Sequence, residues 1–121
     1  MEDLVLRRQP YSAEAEQAVL GSILIDPSCI AAAVDIVSAE DFYLPENKKI
    51  FETLFDMFTL GKKIDPVLLL DELKARELYD EAGGRAYLYK LMESTPSAAN
   101  MTAYAEVVRG KAKLRELARI T

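Results

Sequence analysis

The chain has 121 residues, is 50% hydrophobic and 29% charged, and carries a net charge of −5 with no histidine and one cysteine. That length predicts one domain able to bury roughly two-thirds of its unfolded surface. The absence of histidine excludes the commonest metal ligand and general base, the lone Cys29 excludes an internal disulfide and fits a reducing, cytoplasmic compartment, and the acidic balance opposes general nucleic-acid affinity.

Residues 1–11 show no periodicity and contain Gln9-Pro10, which predicts an extended arm. No charged start followed by a long apolar run marks a signal peptide or a membrane span. Residues 12–25, SAEAEQAVLGSILI, are the stretch around which the rest is organised. Ser12 is the expected N-cap, Glu14 and Glu16 fall at the positive end of the helix dipole, and the second half is apolar on nearly every side. A helix apolar all round is one that other elements wrap. Gly21 costs about 1 kcal/mol of helix propensity relative to Ala, and its expected use is close approach by a crossing helix.

Asp26-Pro27 pairs a cap with a proline at the first helical position, and Ile30, Ala33, Val34 and Val37 follow at helical spacing. Residues 38–41 read as a fresh capped start that Phe42-Tyr43 closes after one short turn, and Leu44-Pro45 breaks it. From about Glu46 to Leu60, Ile50, Phe51, Leu54, Phe55 and Phe58 form a two-column apolar stripe, with Gly61 placed for a left-handed C-terminal cap. Asp65-Pro66 repeats the cap-then-proline start for a helix that turns Leu69, Leu70 and Leu73 inward. A turn-rich loop ending in Gly83-Gly84 leads to a short helix over 85–92, which Thr95-Pro96-Ser97 stops. The last segment is helical from about residue 100 or 102, with Tyr104, Val107, Val108, Leu114, Leu117 and Ala118 on one side. Gly110 interrupts it and permits either a bend or a helix–turn–helix reversal. The class is all-α. The last apolar stripe is still running at Thr121, which predicts a piece of something longer.

No catalytic arrangement is present in the sequence. There is no G-x-x-x-x-G-K-[ST], G-x-S-x-G or H-E-x-x-H, and Cys29 has no histidine to activate it. Asp71, Glu72, Asp80 and Glu81 read as solvated surface. Arg109, Lys111, Lys113, Arg115 and Arg119 against Glu116 give residues 109–121 a local +4, so the remainder stands at −9 within the chain total of −5. This basic face is either solvated surface or a site for an acidic partner or nucleic acid. No aromatics interleave with it as a stacking platform would require.

Taken in order, Ser12 to Gly21, Asp26-Pro27, Glu40-Asp41-Phe42-Tyr43, Ile50-Phe51, Gly61 with Ile64-Asp65, Gly83-Gly84 with Tyr87-Leu88, and Pro96 to Asn100 resemble the N-terminal domain of bacterial replicative hexameric DNA helicases of the DnaB type. Tyr104-Ala105, Val108-Arg109 and Lys111-Ala112 complete the series, which covers nearly the whole chain. The resemblance implies a compact bundle over 12–94 around a central buried helix, then a hinge and helical hairpin over 95–121. It also implies that hairpins pair, and that the dimers build a collar above ATPase domains absent from this chain. The implied partners are other helicase subunits, the C-terminal domain of primase and a helicase loader, with little or no direct nucleic-acid binding and no membrane.

The fragment itself is expected to be no enzyme and to hold no cofactor or metal, ATP and Mg²⁺ being implied only for the full-length helicase. Tyr87 matches a family position on the primase-facing side, and equally fits an ordinary core aromatic. Tyr104, Val108, Leu114 and Leu117 are the candidates for the dimer contact, and Thr95, Pro96 and Asn100 for the hinge. Gly110 departs from the pattern, which has a charged helix former there. The alternatives are a nucleic-acid-binding module using the basic C-terminal helix, or a non-helicase accessory or loader protein sharing the bundle.

Overall fold

The backbone enters its first helix at Ser12, whose hydroxyl oxygen accepts a 3.1 Å hydrogen bond from the Ala15 N–H. In this computed structural model, which describes residues 9–120, that helix (α1) spans Ala13–Ile25. A 3-10 turn at Pro27–Cys29 leads into α2 (Ile30–Ile36), and a second at Ala39–Asp41 precedes α3 (Pro45–Thr59). Then come α4 (Pro66–Ala75), α5 (Gly84–Glu93) and α6 (Met101–Ile120). No strand occurs among the described residues, so the chain is all-α, as expected. Residues 1–8 of the expected arm lie outside the described residues; Gln9 to Tyr11 are irregular, with Tyr11 stacked on Tyr43 at 4.3 Å between ring centroids.

α1 is the centre. Val19, Leu20, Ile23 and Leu24 are all buried, and α3, α5 and α6 pack around them. Burying each such side chain is worth about 1.5–3 kcal/mol, which is why a helix with no polar face is stable only here. Gly21 lets the end of α5 cross at contact distance. A Cβ at that position would stand 2.1 Å from Thr95 Oγ1 and 2.5 Å from the Leu91 carbonyl oxygen.

The other helices start and stop by local chemistry. Asp26 and Asp65 each precede a proline and accept a backbone N–H, from Ser28 at 3.2 Å and Leu68 at 2.7 Å. Ser38 and Asp41 form a reciprocal capping box around the second 3-10 turn. Gly61, at φ +70°, ends α3 with Lys62 N–H bonded to Met57 O and its own N–H to Phe58 O, the paired bonds of a left-handed C-cap. Glu77 does the same for α4 at φ +59° without being glycine.

Two expectations about packing are corrected. On α3 the core face is Ile50, Phe51, Leu54 and Met57, whereas Phe55 and Phe58 lie outward, because α1 and α4 cover only one side of that helix. α6 runs without a break through Gly110, so the chain does not reverse there, and a single helix rather than two hairpin arms is present among the described residues. Met101, Ala105 and Val108 seat α6 on the core; beyond Val108 no side chain through Arg119 is buried.

The two helical glycines therefore carry opposite consequences. Gly21→Ala forces Thr95 and α5 away and is expected to lower unfolding stability by about 1–3 kcal/mol. Gly110→Ala meets nothing within 4 Å and is expected to raise stability by about 0.5–1 kcal/mol. Urea denaturation of the two variants reads both signs.

Candidate partner surfaces and the buried network beneath them

Glu16 belongs to the first turn of α1, yet its side chain points into the protein and is 1% exposed. A buried carboxylate needs donors, and it has three. Oε2 accepts the Tyr43 N–H at 2.7 Å, and Oε1 accepts the Leu44 N–H at 3.2 Å and the Asn47 Nδ2 amide at 3.0 Å. These groups form the entrance to α3, where Leu44 supplies no side-chain cap of its own, and where the helix dipole favours a negative charge. Asn47, fully buried, uses its other end to accept a hydrogen bond from the Tyr87 hydroxyl. The network thus ties α1, α3 and α5 together. No buried side-chain nitrogen or oxygen among the described residues lacks a partner.

Tyr87 is partly buried. Its ring packs against the core and the Gly83 backbone, while one edge lines a shallow groove with Glu46, Ala86 and Lys90. Burial pushes its phenol above the ordinary tyrosine value. The Gln17 and Asn47 side chains at the hydroxyl act against this rise, and the charges of Glu46 and Glu16 add to it.

The candidates for pairing fall on α6. Tyr104, Leu114 and Leu117 are exposed, together with Val107. Val108 is not: at 1% exposed it belongs to the intramolecular core and offers no surface to a second chain. The reason is the helix period, since a step of one residue turns the side chain about 100°. Of the hinge candidates, Thr95 is buried against Gly21 and donates to the Leu91 carbonyl at 2.8 Å, whereas Pro96 and Asn100 are exposed. The last turn before α6 is closed by Met101 N–H to Ala98 O.

Two of the five cations of the basic face, Arg109 and Arg115, are engaged within the chain itself. Arg109 pairs with Asp41 at 2.9 Å. Arg115 donates to the Pro10 carbonyl at 2.9 Å and the Asp41 carbonyl at 2.6 Å, and its guanidinium lies 5.4 Å from the Tyr43 ring centroid. Lys113 and Arg119 line the rim of the resulting groove together with Glu40 and Glu116. A second cluster joins α3 to α4: Arg76 bridges Asp56 and Glu72, and Lys62 reaches Glu72. Those two cations hold the Glu72 carboxyl below the usual carboxylate range. Cys29 is half-buried, which raises its thiol above the ordinary value, with Asp26 adding to the effect.

Among the described residues no group of His, Cys, Asp and Glu is arranged to hold a metal ion. The sequence contains no phosphate-cradling loop of the G-x-x-x-x-G-K-[ST] kind. No single helix among the described residues is long and apolar enough to cross a membrane; only α1 and the adjoining 27–36 segment together pass that test, bent by 120°, and α1 is the core helix.

The family model described as the DnaB-like helicase N terminal domain matches residues 8–110. This chain belongs to that family. Among solved structures, its fold is similar to the N-terminal domain of DnaB helicase from Mycobacterium tuberculosis, with a TM-score of 0.88 and 35% identity over 93% of this chain and 81% of that one. A structure of a DnaB-like replicative helicase and its interactions with primase matches with a TM-score of 0.80 and 28% identity, over 90% of this chain and 26% of that one. In sequence the chain is 43% identical over 108 residues to the replicative DNA helicase DnaB of Pasteurella multocida, covering 89% of this chain and 23% of that protein. The chain therefore spans about a quarter of the length of the curated relatives it matches, and the part it matches is the DnaB-like N-terminal domain.

Glu16→Gln replaces one acceptor of this DnaB-like domain by an amide donor facing buried N–H groups, and is expected to cost about 1–3 kcal/mol in urea denaturation. Tyr87 sets an alkaline limit. Its folded pKa is raised, so its contribution to stability is fully present below the ordinary tyrosine value of 10.0 and is lost as pH climbs through that value towards the folded one. The 295 nm absorbance titration of the wild type minus that of Tyr87→Phe is expected to show a single phenol ionising above pH 10.0.

Proposed function

We propose that this chain acts in DNA replication as the collar-forming N-terminal domain of a replicative helicase, pairing with other helicase subunits through α6 and docking primase on its bundle. The observation that carries the reading is the flank of α6. Tyr104, Val107, Leu114 and Leu117 are large apolar side chains left exposed on a helix whose opposite side is already seated on the core. A second copy offering the same flank would cover them. Residues 95–100 serve as the joint between bundle and pairing helix, with Thr95 as its fixed point and Pro96 and Asn100 as the parts free to turn. Primase is assigned to the bundle side of Tyr87, supported by the family match and by the likeness to a DnaB-like replicative helicase studied with its interactions with primase. ATP and Mg²⁺ belong to the ATPase domain of the whole helicase, and a helicase loader is a further partner. The work is cytoplasmic.

Direct nucleic-acid binding is the weaker reading. Arg109 and Arg115, the two cations nearest the bundle, are spent on Asp41, Pro10 and Tyr43. Calorimetric titration with the helicase-binding domain of primase, with light scattering on the same sample, tests the proposal. The expected outcome is saturable binding that persists at moderate salt, together with a dimer that Leu114→Glu reduces to monomer. A monomeric wild type overturns the pairing surface. A dimer that ignores primase overturns the docking assignment. Binding to single-stranded DNA that falls steeply with salt and is lost on replacing Lys113 and Arg119 by alanine would favour the nucleic-acid reading instead.

A further inference from the structure

The two halves of α6 are held by different forces. Up to Val108 the helix is seated by Met101, Ala105 and Val108 in the core; from Arg109 to Arg119 no side chain is buried. Among the described residues, the distal half is tethered by two arginines. Arg109 reaches Asp41 at 2.9 Å, and Arg115 reaches the Asp41 and Pro10 carbonyls at 2.6 and 2.9 Å, over the Tyr43 ring. Apart from Pro10, every one of these anchor points belongs to the 41–43 corner. Glu16 grips that corner by the Tyr43 N–H and the neighbouring Leu44 N–H.

The same carboxylate holds the Asn47 amide, and the Asn47 oxygen takes the Tyr87 hydroxyl. Asn47 is fully buried, so its amide can satisfy both ends only while both partners stay in place. Withdrawing the Tyr87 hydroxyl orphans a buried acceptor, and the Asn47 side chain, no longer held at that end, fixes Glu16 less firmly through its other end. The Glu16 carboxylate is then positioned by the two backbone N–H groups without a firm hold from the α5 side, and the corner that anchors Arg115 is free to shift with it.

We propose that the buried Glu16–Asn47 pair couples the Tyr87 surface on α5 to the seating of the distal half of α6, so that a protein engaging the Tyr87 hydroxyl loosens the helix end carrying Leu114 and Leu117. This rests on the Tyr87 groove being a partner-facing surface only for what enters there. The coupling is a property of the chain alone and is tested without a partner.

The test is residue-resolved amide hydrogen exchange on the chain, comparing wild type with Tyr87→Phe, which removes one oxygen and keeps the ring. Tyr89→Phe serves as a control on the same helix, where Tyr89 is exposed. Protection of amides 111–118 is read relative to that of amides 19–24 in α1, which report global opening. Tyr87→Phe is expected to lower this ratio by at least about twofold, the lower end for residues sharing one network, and Tyr89→Phe to leave it unchanged. Coupling is reciprocal, so Arg115→Gln is expected to shift the Tyr87 ring resonances although it touches nothing on α5. An equal fall in both sets of amides, or changes confined to α5 and Asn47 together with unshifted Tyr87 resonances in Arg115→Gln, overturns the proposal. Failure of primase to bind leaves this result intact, and an absent coupling leaves primase docking intact, so the two readings fail separately.

Discussion

A carboxylate taken out of water costs several kcal/mol unless its surroundings replace the lost hydration. Glu16 is such a group, and much of the domain is arranged to accommodate it. Its three donors come from one short stretch, two backbone N–H groups and one amide at the entrance to α3. That fixes where α3 begins although Leu44 supplies no cap, and holds the Tyr43–Leu44 corner against α1. The core alone would not specify this register: apolar contacts among Leu20, Phe51 and Leu54 tolerate sliding, whereas a buried charge with three directional partners does not.

Helix boundaries were legible in the sequence because caps are local. Ser12, Asp26, Asp65 and Gly61 sit where their neighbours demand, and the structure uses each as anticipated. Gly21 was legible for a related reason: a costly residue in a strongly apolar helix implies a close neighbour, here Thr95 and Leu91. Glu16 was not. An acid in the first turn of a helix ordinarily faces solvent and answers the dipole of its own helix, while this one answers the start of another helix 27 residues away. Nothing in the local pattern distinguishes those cases. The outward Phe55 and Phe58 were missed because a stripe of five apolar positions on α3 is wider than the face its neighbours cover. Val108 was misassigned because both valines of the pair look equivalent until the orientation of α6 on α1 is known. Gly110 read as a break, whereas an exposed helix position with open space around it carries glycine at modest cost.

The proposed partner surfaces rest on the resemblance rather than on the residue pattern. Periodicity marks apolar positions without saying which are satisfied inside the chain, and the basic face of α6 looked like a site until Arg109 and Arg115 were seen to be engaged at home. What distinguishes this DnaB-like domain from a generic helical bundle is less its core than its last helix, half of it packed by hydrophobic contact and half tethered by guanidinium groups.

The tether has a consequence for how the domain tolerates change. Among the described residues, Arg115 donates to two main-chain oxygens, those of Pro10 and Asp41, and lies over the Tyr43 ring. Every residue type carries a carbonyl. The identity of residue 10 can therefore drift, and that of residue 41 can drift as far as this contact is concerned, without unmaking it. For this contact the demand on side-chain identity falls on residue 115, where even lysine would lose the forked geometry that lets one side chain clasp two stretches of backbone at once.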